Sequence, residues 1–141
     1  MLDEKTAIRA GDERDHAFIY ATWLRSYRHD SNFARKINND IYYEFHHKVI
    51  ERILERASIQ VLCSADDPYT IFGYLVWEVL PVHPTAPIVH YLYIKMPFRK
   101  MGLGKELFTV VANYGTLIFT HYTSVVDKVK NDTWLYNPYL I

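Results

Sequence analysis

The chain has 141 residues, with 16 Lys+Arg balanced by 16 Asp+Glu, seven His and a single cysteine, Cys63. A chain of this length buries roughly two thirds of the surface its unfolded form exposes, so residues 1–141 are expected to form one domain with an ordinary core and no disulfide framework. Balanced charge disfavours a nucleic-acid partner, no apolar run nears the ~20 residues that span a membrane, and the polar residues 9–13 do not read as a secretory signal, so a cytoplasmic protein is expected.

Residues 6–9 are a first apolar segment ending at Gly11 and Asp12, a turn residue and a helix N-cap, which predicts a strand followed by a helix. From Asp15, Ile19, Trp23 and Tyr27 recur every four residues beside Tyr20 and Leu24, a helical stripe that Asp30, Ser31 and Asn32 interrupt. A second helix opens at the caps Asn38, Asn39 and Asp40, takes Ile41, Phe45, Val49, Ile53 and Leu54 as its apolar stripe, and stops near Ser58. Residues 59–64 and 70–80, rich in β-branched and aromatic side chains and parted by turn residues 65–68, read as an antiparallel hairpin. Pro81, Pro84 and Pro87 stiffen the connection to a strand over 88–94. A loop over 95–104 then runs into a helix carrying Leu103, Leu107, Val110, Val111 and Tyr114 and ended by Gly115; strand 116–122, helix 124–130 and an aromatic tail 133–141 complete the chain. The order β-α-α-β-β-β-α-β-α, with several directly connected strands, predicts a mixed α/β fold and excludes a purely parallel doubly wound sheet.

The segment that carries chemistry is Arg99-Lys100-Met101-Gly102-Leu103-Gly104, between a strand and the first turn of a helix. Two glycines allow the backbone to approach a ligand closely, the helix start adds unpaired N–H groups, and Arg99, Lys100 and Lys105 add positive charge, so a phosphate or pyrophosphate suits the loop. A nucleoside-triphosphate loop is disfavoured, because Gly104-Lys105 is followed by Glu106 and position 99 is not glycine. A dinucleotide loop fails as well, since Leu107 stands where a third glycine is required. His46 and His47 are neighbours on a helix and point about 100° apart, and neither a His-Glu-x-x-His pattern nor a cysteine pair occurs, so no metal is expected.

Residues 92–104 resemble the acetyl-coenzyme A motif of the GNAT superfamily of N-acetyltransferases, Arg/Gln-x-x-Gly-x-Gly/Ala, entered here from the strand end Leu92-Tyr93-Ile94. The element order resembles the family's over most of residues 8–130. The resemblance implies a mostly antiparallel sheet flanked by helices, shortened at its C-terminal side, and an enzyme that uses acetyl-coenzyme A as cosubstrate to acetylate a primary amine. It implies that the amides of Arg99, Lys100, Met101, Gly102, Leu103, Gly104 and Lys105 bind the pyrophosphate. Main-chain groups of Leu92, Tyr93 and Ile94 would pair with pantetheine, and an N–H near Tyr93 or Ile94 would stabilise the developing oxyanion. Lys100 stands where many relatives have glycine, a departure that is tolerable if this residue adopts a negative φ, and its side chain could add a phosphate contact.

An alkylamine of pKa ~10.4 is less than about 0.1% neutral at pH 7, so attack calls for a proton acceptor. His90, on the same strand as Ile94, is the first candidate base and Glu78 on the preceding strand the second; some family members place a histidine or glutamate base here. The family's tyrosine acid for the leaving thiolate is matched only loosely, by Tyr122 or by Tyr136 in the tail. The basic stretch Arg25, Arg28, His29, Arg35 and Lys36 borders the expected acceptor side, where it could select an acidic substrate. The aromatic tail leaves an edge that a second copy could cover, giving a homodimer. A GNAT-fold module that binds coenzyme or protein without turnover is the alternative. The aromatic content of 16% is assigned to three places: core, acceptor pocket and tail edge.

Overall fold

The structure is a computed structural model and describes residues 5–141. β1 (Thr6–Ala10) leads through a tight turn into α1 (His16–Asp30), followed by a single turn, α2 (Asn32–Arg35), and by α3 (Asn39–Leu54). The Asp12 side chain accepts from the Arg14 amide and Asp15 accepts from the Asp12 amide, a capping box just ahead of α1. Arg9 clamps Asp15 with two bonds of 2.9 and 2.8 Å, tying β1 to that cap. β2 (Ser58–Ser64), β3 (Ile71–Glu78) and β4 (Ile88–Ile94) follow as an antiparallel meander, then α4 (Leu103–Phe108), β5 (Leu117–Phe119), α5 (Ser124–Val129) and β6 (Trp134–Tyr136).

The six strands lie side by side in sequence order. The first three neighbour pairs are antiparallel and the last two, β4 with β5 and β5 with β6, are parallel. Two apolar layers form because each strand alternates its side chains between faces. Val61, Tyr74, Val76 and Tyr91 pack under α1 and α3, whereas Leu62, Phe72, Leu75 and Val89 pack under α4. This is the mixed, mostly antiparallel sheet with flanking helices that the sequence leads one to expect.

Three boundaries differ from the sequence reading, each for a visible reason. In α3 the buried face is Tyr42, Ile50, Ile53 and Leu54, while Ile41 and Phe45 remain 53% and 54% exposed. The helix is turned by one residue because Tyr42 has both apolar area and a hydroxyl, which donates to the Leu24 carbonyl at 2.7 Å. α4 stops at Phe108, since Thr109, Val110 and Val111 donate to carbonyls three residues back and tighten the chain out of α-helix. β5 is only three residues long, and from Thr120 onward the chain leaves the sheet. Among the described residues no helix is long and apolar enough to cross a membrane.

Candidate active site

β4 and β5 share only a short ladder: Ile118 N donates to Pro87 O at 2.9 Å and Thr120 N to Val89 O at 3.3 Å. Beyond Val89 the strands splay. On the other side of β4, Lys95 N donates to Phe72 O at 2.8 Å. Alternation along an antiparallel ladder then assigns Tyr93 and Tyr91 to the bonds with β3, which leaves the main-chain groups of Leu92 and Ile94 facing the gap. The Ile94 carbonyl is taken by Arg99 Nε at 2.8 Å, so the Leu92 N–H and C=O and the Ile94 N–H are the groups that a ligand in the gap can reach. Tyr93, expected to offer an oxyanion donor, instead spends its N–H on β3.

The loop after β4 makes one 3-10 turn, Met96–Phe98, and reaches α4 through two left-handed residues, Lys100 (φ 67°) and Gly102 (φ 78°). The Arg99 amide donates to Met96 O at 3.2 Å and so is withdrawn from the expected anion cradle. The amides of Lys100, Met101, Gly102, Leu103, Gly104 and Lys105 have no acceptor among the described residues, six consecutive donors at the mouth of the gap. Lys100 overturns the expected negative φ: it adopts the conformation in which a Cβ is strained. Lys100→Gly is therefore expected to raise the unfolding free energy read from urea denaturation by a few tenths to about 1 kcal/mol, the strain relieved less the greater unfolded-state entropy of glycine.

A groove of about 540 Å³ begins at Gly104 and Lys105 and runs between Leu92, Phe108, Leu117 and Trp134. Leu92, Phe108 and Val125 also line a narrower cleft between the splayed strands that ends on His90 and His121. A second depression, about 620 Å³, lies at the far end of the sheet beside Glu13, Glu51 and Glu55. Its acidic rim is unsuited to a phosphate.

At the end of the cleft the two candidate bases meet. Between Val76 and Trp77 the pairing with β4 slips by one residue, so His90 is the extra residue of a β-bulge, a device that re-aims a side chain. His90 is 1% exposed; its Nε2 lies 2.6 Å from Glu78 Oε2, and Arg56 Nε reaches both oxygens of the same carboxylate at 3.1 and 3.0 Å. His90 Nδ1 is 2.9 Å from Thr120 Oγ1, which is 2.9 Å from His121 Nδ1, and His121 Nε2 is 2.9 Å from His46 Nε2 on α3. Trp23 stacks flat on Tyr91 at 4.8 Å, and the rings of Trp23, Tyr27 and Tyr91 enclose His121 edge-on.

Burial sets the charge states along this row. It pushes His46 down to about 4; burial and then the neighbouring His46 and His90 push His121 well below its ordinary value. Burial also pushes His90 down, against the pull of Glu78, so the imidazole is neutral near pH 7. For Glu78 burial opposes ionisation, but the hydrogen bond and charge of His90 and the charge of Arg56 outweigh it and hold the carboxyl below its ordinary value. With His90 neutral, Arg56 is the lasting partner that keeps Glu78 ionised. The unfolded chain binds protons on these imidazoles below their ordinary 6.5, while folded His46 resists until about 4. Stability is thus complete above pH 6.5 and declines as pH falls toward 4. Urea midpoints across that range are expected to show the decline, and His46→Gln to flatten it.

Tyr122 is not brought to this row. Its hydroxyl donates to Asp127 and accepts from Lys130 Nζ, the latter at 2.7 Å, on the α5 surface. Tyr136 lies on exposed β6. In the basic stretch, Arg28 caps Ala34 O and Arg35 caps His29 O, leaving Arg25, His29 and Lys36 with exposed side chains. Among the described residues no group of three His, Cys, Asp or Glu side chains is arranged to hold a metal ion. Sequence reasoning missed Thr120, His121 and His46. The bulge that aims His90 leaves no mark in the pattern, and His46 reads as a member of an adjacent His pair.

No family model matches the sequence, and no curated protein is significantly similar to it. Solved structures are similar in fold. A GCN5-related N-acetyltransferase from Ralstonia eutropha superposes with TM-score 0.62 at 14% identity, over 89% of this chain and 88% of that one. A GNAT-family acetyltransferase from Staphylococcus aureus gives 0.51 at 15% identity over 78% of this chain, and a proposed one from Desulfovibrio desulfuricans gives 0.52 at 11% over 79%. The chain spans 65% and 66% of the length of those two. It has the GNAT fold.

Proposed function

We propose that the protein is an acetyl-coenzyme A dependent N-acetyltransferase acting on a primary amine. The observation that carries this reading is the run of six unpaired amides, Lys100 to Lys105, opening onto a splayed β4–β5 cleft that ends on His121 and on His90, which is bonded in turn to Glu78 behind it. The residues fit the coenzyme. The loop amides with the charges of Lys100 and Lys105 would hold the pyrophosphate. Leu92 and Ile94 would pair with the pantetheine amides as an added strand, and a groove of about 540 Å³ is of the size that binds such an arm.

When bound, the coenzyme supplies an electrophilic thioester carbonyl. The chain's own residues do the rest. The Ile94 N–H faces the gap where negative charge would develop on that carbonyl. Phe108, Val125 and Val126 keep water from the cleft. Glu78 and His90 form the proton-accepting pair. Arg25, His29 and Lys36 would favour an acceptor that carries negative charge, and exposed Leu135, Tyr136 and Tyr139 would let a second copy pair along β6.

The test is twofold. Acetyl-coenzyme A is expected to raise the melting temperature, and a panel of amines and peptides to release coenzyme thiol. No thermal shift at millimolar coenzyme contradicts the reading; a shift without thiol release from any acceptor replaces it by the coenzyme-binding module.

A further inference from the structure

The contacts from Glu78 to His46 are one chain, and the chemistry of its first member dictates the proton positions in all the others. A carboxylate held by Arg56 only accepts, so His90 Nε2 must carry a hydrogen. A neutral His90 then has a bare Nδ1, to which the Thr120 hydroxyl donates. The Thr120 oxygen in turn accepts from His121 Nδ1–H, and the bare His121 Nε2 accepts from His46 Nε2–H. Every hydrogen points toward Glu78, and the one lone pair left at the open end is His46 Nδ1. His46 is the partly exposed member, on α3 at the helix side of the sheet, whereas His90, Thr120 and His121 are buried.

We propose that Glu78, His90, Thr120, His121 and His46 form a proton relay, and that His46 Nδ1 is its entry, receiving the proton that the acceptor amine gives up. The inference rests on the acetyltransferase reading above. As the nitrogen–carbon bond forms and the carbon–sulfur bond breaks, the amine proton passes to His46 Nδ1. His46 hands its Nε2 proton to His121 Nε2, His121 hands its Nδ1 proton to Thr120 Oγ1, and Thr120 hands its hydroxyl proton to His90 Nδ1. The result is a His90 imidazolium against the Glu78 carboxylate. The leaving sulfur takes a proton from solvent, and the relay returns one to solvent by the reverse hops. The groups facing the relay are few: Arg56 beside Glu78, Tyr27 and Trp23 from α1, Tyr42 from α3 and Tyr91 from β4. Arg56 alone among them is charged at neutral pH. Its place at the Glu78 end favours ionised Glu78, which orients the hydrogens.

Long-range imidazole nitrogen–proton NMR on the free protein tests this without turnover. The expected tautomers are Nε2–H for His90, Nδ1–H for His121 and Nε2–H for His46. Glu78→Gln is the sharper probe: its amide oxygen stays with Arg56 and its NH₂ must donate to His90 Nε2, so all three tautomers invert, His46 at the far end included. Adding Thr120→Val stops the inversion at His90, and Thr120→Ser restores it. With acetyl-coenzyme A and a reactive amine, Thr120→Val is expected to lower kcat about a hundredfold while the coenzyme-induced thermal shift stays, and Thr120→Ser to recover the rate. A His46 tautomer indifferent to Glu78→Gln in an otherwise folded variant overturns the relay, even if the enzyme turns over. Tautomers as expected, in a wild type that releases no thiol whichever acceptor is offered, overturn the acetyltransferase reading and with it the relay's use.

Discussion

Gly104→Leu is expected to abolish stabilisation by acetyl-coenzyme A while leaving the melting temperature of the free protein almost unchanged. A Cβ at Gly104 meets only Ile94 Cγ1 and Leu92 Cδ2, both at 3.9 Å, which is ordinary contact. The added side chain therefore finds room in the protein and occupies the groove it lines, where a ligand on the loop amides must pass. A ligand at a hundred times its Kd stabilises by about 2.7 kcal/mol, so the lost thermal shift is easily read. Gly73→Ala is the contrast: its Cβ would stand 2.3 Å from Tyr93 O and 2.6 Å from Ile94 Cδ1, a clash between β3 and β4 that the free protein itself would register.

The second large effect is at Glu78. Glu78→Ala leaves the Arg56 guanidinium and the fully enclosed His90 Nε2–H without their acceptor, and removing one member of a buried pair costs about 3 kcal/mol. Arg56 is partly exposed and recovers some of this from water, so His90 carries most of the penalty. Chemical denaturation at pH 7 is expected to show the loss. Glu78→Gln is expected to lose much less, because an amide can accept from Arg56 and still bond His90 by donating to it.

How much of this is legible in the sequence differs by kind of feature. The element order and the strand–loop–helix around Gly102 and Gly104 follow from hydrophobic period, glycine placement and capping residues, all local signals. The α3 stripe reads one residue out of phase because Ile41 and Phe45 score as apolar, whereas Tyr42 is buried by a hydroxyl contact and His46 is partly covered by ring stacking. His90 and Glu78 could be picked out as separate candidates, but their 2.6 Å contact depends on a bulge, and a bulge is set by pairing between strands rather than by either strand's letters. Thr120 and His121 look like ordinary strand residues; only the departure of β5 after Phe119 turns them toward His90 and His46. Lys100 carries no mark of a left-handed backbone, which the loop's closure imposes.

The same bulge and splay connect the fold to the chemistry. The gap that leaves main-chain groups of Leu92 and Ile94 unpaired with β5 is also the gap that His90 and His121 close at its inner end, so the proposed binding and the proposed proton transfer would both depend on a single break in the sheet. Ser124 N donates to Asp30 Oδ2 at 2.7 Å, which fixes α5 to the end of α1 and holds the outer wall of that gap.

A titration of the nitrogen-labelled protein with coenzyme A, followed amide by amide, tests most directly whether the loop amides grip the coenzyme. The expected result is that the amides of residues 100–105 shift most, with Leu92 and Ile94 next and Arg99, already bonded to Met96, much less. Unmoved loop amides at saturating coenzyme, or shifts centred instead on the acidic depression around Glu13 and Glu51, would contradict it.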